Sequence, residues 1–171
     1  MRLTLVTPPA APPIERALAK DYCKVSWDYE DAVIDACIDA AVSWLDGQRG
    51  VLRRCIVNQV WRADIDRLGG YVALPFPDVS TVSAVFTDEE AGAVLFDRTD
   101  CGLRIRSGQG RPAAITFTAG FGTPSEVPPA ISRAILILAG HFYWVRSGQS
   151  EREGIPREVD DLISPFRLLR V

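Results

Sequence analysis

The apolar residues of this 171-residue chain change their spacing twice, and that double change restricts the fold more than any motif does. From about Tyr29 to Gln48, the positions Ile34, Cys37, Ile38, Ala41, Val42 and Leu45 recur at helical spacing. From Val57 onward, Val57, Gln59, Trp61, Ala63 and Ile65 alternate with Asn58, Val60, Arg62 and Asp64, the two-residue period of a strand. Beyond Pro128-Pro129 the helical spacing returns in Ile131, Ala134, Ile135, Leu138, Phe142 and Val145. Helical patterns on both sides of a strand pattern predict an α+β fold. Its helical body has two long helices plus short terminal helices, and an antiparallel β-rich region is inserted into it. There is no repeated strand–helix alternation to support a doubly wound sheet.

The same reading sets boundaries within one domain. Pro8, Pro9, Pro12 and Pro13 keep residues 1–13 extended as an N-terminal arm, 14–50 and 128–163 form the helical body, 55–120 the β-rich insert and 164–171 a C-terminal tail. Pro13 suits a helix start, with Ile14, Ala17, Leu18 and Tyr22 on one face. Asp28 is placed to cap the next helix, which turns Asp35, Asp39, Ser43 and Asp46 outward as an acidic back face. In the insert, short strands are predicted at Tyr71–Leu74, Val79–Thr87, Ala93–Phe96, Gly102–Arg106 and Ala114–Thr118. Turns at Leu68-Gly69-Gly70-Tyr71, Pro75, Pro77, Glu90-Ala91-Gly92 and Ser107–Pro112 separate them. A last turn of helix through Val159, Leu162 and Ile163 stops at Pro165.

Composition removes several functional classes. A net charge of −3 lacks the basic footprint of an autonomous DNA-binding domain. Cys23, Cys37, Cys55 and Cys101 contain no C-x-x-C pair, so they read as ordinary thiols of a reducing cytoplasm, with Cys37 on a buried helical face. The start from Met1 to Pro9 is too short in its apolar run and too rich in proline for a signal peptide. The apolar run Ala134–Val145 falls short of the roughly 20 residues a membrane span needs, so no membrane role is expected.

The chemistry-bearing residues point the same way. His141 is the only histidine, which leaves a Ser-His-Asp triad or a multi-histidine metal site without support, and its aromatic neighbours favour a structural role. Gly108-Gln109-Gly110 and Gly120-Phe121-Gly122 lack the strand-to-helix context of a phosphate-binding loop and read as turns. The acidic clusters Asp28, Glu30, Asp31 and Asp88, Glu89, Glu90 lack EF-hand spacing. Arg53, Arg54, Arg104, Arg106 and Arg111 are open to phosphate contact or to plain solvation. No catalytic, cofactor-binding or metal-ligating residue is assigned, no cofactor is expected, and the chain is not expected to be an enzyme.

One segment stands out as an interaction element. Pro165, Phe166, Arg167, Leu168, Leu169, Arg170 and Val171 join large apolar side chains to two arginines after a helix-stopping proline. Such a tail is either buried by a partner or folded back onto the chain's own sheet.

Several ordered stretches resemble the head–tail connector (adaptor) family of tailed phages, prophages and gene transfer agents. They are Trp27-Asp28-Tyr29-Glu30-Asp31-Ala32-Val33-Ile34 running on to Trp44, Gln59-Val60-Trp61, and Leu74-Pro75-Phe76-Pro77-Asp78-Val79 with Val82-Ser83-Ala84-Val85. Ile115–Gly122, Val127-Pro128-Pro129-Ala130-Ile131 through His141-Phe142-Tyr143-Trp144, and Leu162–Arg167 complete them. The resemblance spans nearly the whole chain. It implies a non-catalytic virion structural protein in an oligomeric ring, typically a dodecamer, below the portal, with DNA passing through the channel without sequence-specific binding. It also implies a portal protein and a tail-proximal connector or stopper protein as partners, with Pro165–Val171 as the candidate portal-docking tail. Assembly would occur in the bacterial cytoplasm, and the final location would be the head–tail junction of the particle. The alternative left by the residues themselves is a small-ligand or peptide-binding α+β module.

Overall fold

The structure, a computed structural model, describes residues 1–86, 94–99, 102–145 and 154–168, apart from the side chain of Gln109. The chain divides into two compact units. One combines Met1–Ala10 with Arg54–Phe121, and the other combines Ala11–Arg53 with Gly122–Val171. The architecture is mixed α+β, with an antiparallel sheet in the first unit and helices in the second.

The sheet holds β1 (Arg2–Thr7), β2 (Gln59–Ala73), β3 (Val79–Phe86), β4 (Leu95–Thr99) and β5 (Gly102–Ala119). Its order is β1-β2-β5-β3, with β4 also paired to β5. Every pairing is antiparallel. The two-residue period decides which face is buried. Along β5, Leu103, Ile105, Ala113, Ile115, Phe117 and Ala119 are buried while Arg104, Arg106 and Pro112 are exposed. Leu74, Phe76, Val79 and Phe86 close over the buried face, and the Phe76 ring packs 5.4 Å from Trp61 and 6.3 Å from Phe117.

The sheet differs from the sequence reading at its first strand and at two glycine-rich stretches. The first residues are extended, but Arg2–Thr7, ahead of the prolines, is a paired strand of the sheet rather than an arm, with Leu3 opposite Ala63 and Leu5 opposite Trp61. Leu68-Gly69-Gly70-Tyr71 and Ser107–Pro112, expected as turns, lie inside β2 and β5. There the register shifts between Ile65 and Gly70, and Gly70 and Gly110 take φ of +101° and +64°. A side chain on Gly69 would lie 3.1 Å from the Cα of Gly110, so the glycines let two bulged strands stay together instead of reversing the chain.

The helical unit contains α1 (Arg16–Cys23), α2 (Asp31–Leu45), α3 (Pro129–Trp144) and α4 (Arg157–Ile163). Pro129 begins α3 in the first helical turn, where its missing N–H costs nothing. Ile131, Ala134 through Gly140 and Tyr143 are buried, so this helix is enclosed on nearly all sides, and α1, α2 and α4 all pack on it. The buried side of α2 is Ile34, Cys37, Ile38, Ala41 and Leu45. On α1 the buried residues are Ala19 and Cys23, with Ile14 just before it, while Leu18 and Tyr22 lie exposed, so the inward face is rotated from the predicted one. Asp28 does not cap α2. Glu30 occupies the cap position without a side-chain bond to the helix, and the Asp28 carboxylate pairs with Lys20 instead.

Candidate assembly surfaces

The described part of the C-terminal segment is fastened to the helical unit. Val159 and Ile163 bury one side of α4, and Pro165 lies within a 3-10 turn, Ser164–Phe166. Arg167 then donates to the Asp160 carboxylate at 2.6 Å, and the Leu168 N–H donates to the carbonyl of Leu52 at 3.1 Å. Phe166, Arg167 and Leu168 are half-buried. Leu169, Arg170 and Val171 lie outside the described residues. The acidic triplet Asp88, Glu89 and Glu90, together with Cys101, also lies outside them.

A second surface was not singled out by the sequence reading. The Glu30 carboxylate accepts hydrogen bonds from the Trp27 Nε1–H at 2.9 Å and from the Tyr143 hydroxyl. That shared acceptor ties the start of α2 to the end of α3. Trp27 stacks on Tyr29 with ring centroids 5.7 Å apart, and Trp144 meets Tyr143 edge-on at 5.1 Å. Tyr29 and Trp144 remain 80% and 69% exposed, too large an apolar area to be left to solvent without cost. Tryptophan and tyrosine letters near helices suggest core packing, which is why this surface was missed; the sign that could have revealed it is α2 itself, whose small apolar residues continue past one helical face.

Beside the aromatics lies an ion-pair network. Lys20 bonds Asp28 and Asp31 at 2.7 and 2.6 Å, while Arg16 bonds Asp31 at 3.0 Å and also grips Asp35. The Lys20 ammonium, helped by Arg16, holds the Asp31 carboxyl below the usual carboxylate range. In return Asp28, then Asp31, raises the Lys20 ammonium above its ordinary value. Glu126 is likewise lowered, because its carboxylate accepts from the Thr123 N–H and hydroxyl.

The remaining candidates form no reactive constellation. The His141 ring packs against Phe142 at 5.8 Å. Cys23, Cys37 and Cys55 are free and buried. Among the described residues no group of three or more His, Cys, Asp or Glu is placed to hold a metal ion, and no helix is long and apolar enough to cross a membrane. Arg54 pairs with Asp78 at 2.7 Å and lies over the Phe121 ring, a structural tie within the β-rich unit. Arg111 lies over Phe86 at 4.5 Å, whereas Arg104 and Arg106 point outward from β5.

No family model and no curated protein matches the chain. Solved structures do. A chain in the neck of an empty gene transfer agent particle, computed with C6 symmetry, superimposes with a TM-score of 0.79 at 23% identity, covering 100% of this chain and 97% of that one. A chain in the neck of the native particle, computed with C12 symmetry, gives 0.78 at 23% identity with the same coverage. A chain of the native gene transfer agent virion gives 0.77 at 22% identity, again covering 100% and 97%. Over its whole length this chain has the fold of a protein from a gene transfer agent neck, consistent with the head–tail connector resemblance in its sequence.

Proposed function

We propose that the chain is a structural head–tail connector, or adaptor, subunit. Copies of it form a ring between the portal and the tail of a phage or phage-like particle and continue the DNA channel. The observation that carries this reading is the end-to-end match to chains of particle necks, one of them computed with C12 symmetry. The role requires no catalysis. It requires stable subunits with lateral contacts, and a net charge of −3 that lets DNA pass without the counterion-releasing grip of a basic surface.

Partners follow from the same reading: further copies, twelve in the particle, a portal protein above, and a tail-proximal connector or stopper below. Residues 165–171 supply the portal contact, with Arg167 and Leu168 rooting the segment in the helical unit. Electron microscopy of purified particles tests the reading. A twelvefold ring of this chain at the portal is the expected result, and its absence from the particle or a twofold-only assembly overturns it. Removing residues 169–171 should spare thermal stability and abolish portal binding. Removing 165–171 should also lower stability, because it deletes the Asp160 and Leu52 contacts.

A further inference from the structure

Helix α2 is apolar on two sides, and its own unit covers only one of them. Opposite the buried residues, Ala32, Val33, Ala36 and Ala40 are exposed, an outward stripe small enough to admit the side chains of a partner. The stripe begins at the aromatic group of Trp27, Tyr29 and Trp144, which the Glu30 hydrogen bonds and the ring contacts orient in advance of any encounter. The surrounding charge has an excess of one sign. From Glu15 to Asp46 the sequence carries eight carboxylates against three cationic side chains. Asp39 is exposed on α2 beside Ala40, and the Asp28 side chain is 89% exposed.

A surface of opposite character lies on the β-rich unit. Arg104 and Arg106 project from the outward side of β5, directly across from Ala73 and Tyr71 on β2 and from Asp97 and Leu95 on β4. Tyr71 and Leu95 are 60% and 59% exposed. The Arg106 guanidinium lies 5.4 Å from the centre of the Tyr71 ring and donates to its hydroxyl at 3.2 Å. From Leu95 to Arg111 the sequence has four arginines against two aspartates.

We propose that these two surfaces meet between neighbouring copies: the acidic outer face of α2 on one copy, with Trp27, Tyr29 and Trp144 beside it, receives the Arg104–Arg106–Tyr71 face of the next. The occupant is a second copy because each surface matches the other in charge and neither matches itself. Two acidic faces repel, as do two basic ones, so the complementary arrangement is head to tail, the geometry that closes a ring. Arginine against tryptophan and tyrosine is also the pairing that concentrates binding energy at interfaces. This inference rests on the ring reading above and names the contact that builds the ring.

The test uses full-length chains in particle-producing cells and counts copies per purified particle by quantitative mass spectrometry. One variant carries Arg104→Glu with Arg106→Glu, the other Asp28→Arg with Asp39→Arg. Each alone should lower the copy number at least about tenfold through like-charge contact at every junction. Co-expression of the two should restore it, because an alternating ring pairs each reversed face with its reversed complement. Restoration also shows that both variants fold. Trp144→Ala, which leaves charge untouched, should give the same kind of loss. Full occupancy by either charge variant alone, or no restoration on co-expression, overturns the proposal. A loss confined to the α2 variant also overturns it, by pointing to a different protein on that face. Absence of the unmodified chain from particles would instead sink the ring reading itself.

Discussion

The two units bury their cores by different geometry. In the β-rich unit, β5 packs one side and leaves the other partly open, so the buried Ile115 and Phe117 flank a partly exposed Thr116. In the helical unit, α3 is enclosed by three other helices, and Ala134 through Gly140 are all buried in succession. A sheet with one core face leaves every second position tolerant; a central helix leaves none over two turns. The surrounding helices therefore carry the burden of facing solvent, and α2 does so with alanines and Val33 as well as charges.

Aspartate substitutions along the two elements offer the sharpest way to break that contrast. Ile135→Asp and Ile137→Asp should each cost several kcal/mol, on the order of 4, by placing an unpaired charge in an apolar site on either side of α3. Ile115→Asp should cost about as much, while Thr116→Asp should stay within about 1 kcal/mol because its side of β5 reaches solvent. Urea unfolding measures all four. Tolerance at Ile137, or equal damage at Thr116, would erase the distinction between the units.

A smaller effect is expected where the β-rich unit closes on its own backbone. Gly120 has φ of +149°, and a Cβ there would lie 2.6 Å from the Asn58 nitrogen and 2.7 Å from the Val57 oxygen. Gly120→Ala should cost roughly 2–4 kcal/mol, combining backbone strain with a clash that no rotamer relieves. An unchanged urea midpoint would show that the strand end can shift freely.

These elements also show what the sequence could reveal. Alternation exposed the strand character of Gln59–Ile65 and of both ends of β5, because a period of two survives without knowledge of the partner strand, although it placed the start two residues early at Val57. It failed at Gly69-Gly70 and at Ser107–Pro112. Glycine with positive φ serves a turn or a bulge equally well, and the choice depends on Gly110 facing Gly69 across the sheet. β1 was hidden because Leu3 and Leu5 make too short an alternation beside the prolines that follow. In α1, burial of Ala19 and Cys23 rather than Leu18 and Tyr22 reflects close packing, with Tyr22 passing the backbone of α3 at Gly140. The tail's mixture of apolar and basic residues was legible, but its fastening through Asp160 and Leu52 depends on tertiary contacts.

The helical unit also relies on surface charge, which gives it a distinct response to acid. Asp31 titrates below the usual carboxylate range because Lys20, and then Arg16, stabilise its charged form. A lowered folded-state value contributes stability above the ordinary carboxylate pKa of about 4 and loses it as pH falls through the folded value. Asp31→Asn should therefore lower the melting temperature near neutrality and flatten its decline below about pH 4. Glu126, lowered by Thr123, keeps part of that decline in the variant. Since these groups are largely solvated, the effect should be smaller than that of Gly120→Ala and should shrink in high salt. Parallel acid limits for variant and parent would remove Asp31 from the account.

The smallest expected change runs in the stabilising direction. α1 ends with Lys24 at φ 56° and ψ 39°, its N–H bonded to the Asp21 carbonyl at 3.2 Å while the Val25 N–H bonds that of Lys20 at 3.0 Å. This paired closure normally uses glycine, because an L side chain in the left-handed region crowds its own backbone by roughly 1–2 kcal/mol. Glycine removes that strain but loses more chain entropy on folding, which returns about 0.5–1 kcal/mol. Lys24→Gly should accordingly gain about 0.5–1 kcal/mol in urea unfolding. The gain should be unaffected by the acid titration that exposes Asp31, since the substitution acts on the backbone and leaves the Lys20 pairs in place. A loss of stability instead would mean that the Lys24 side chain supports the helical unit through contacts that outweigh the strain of its backbone.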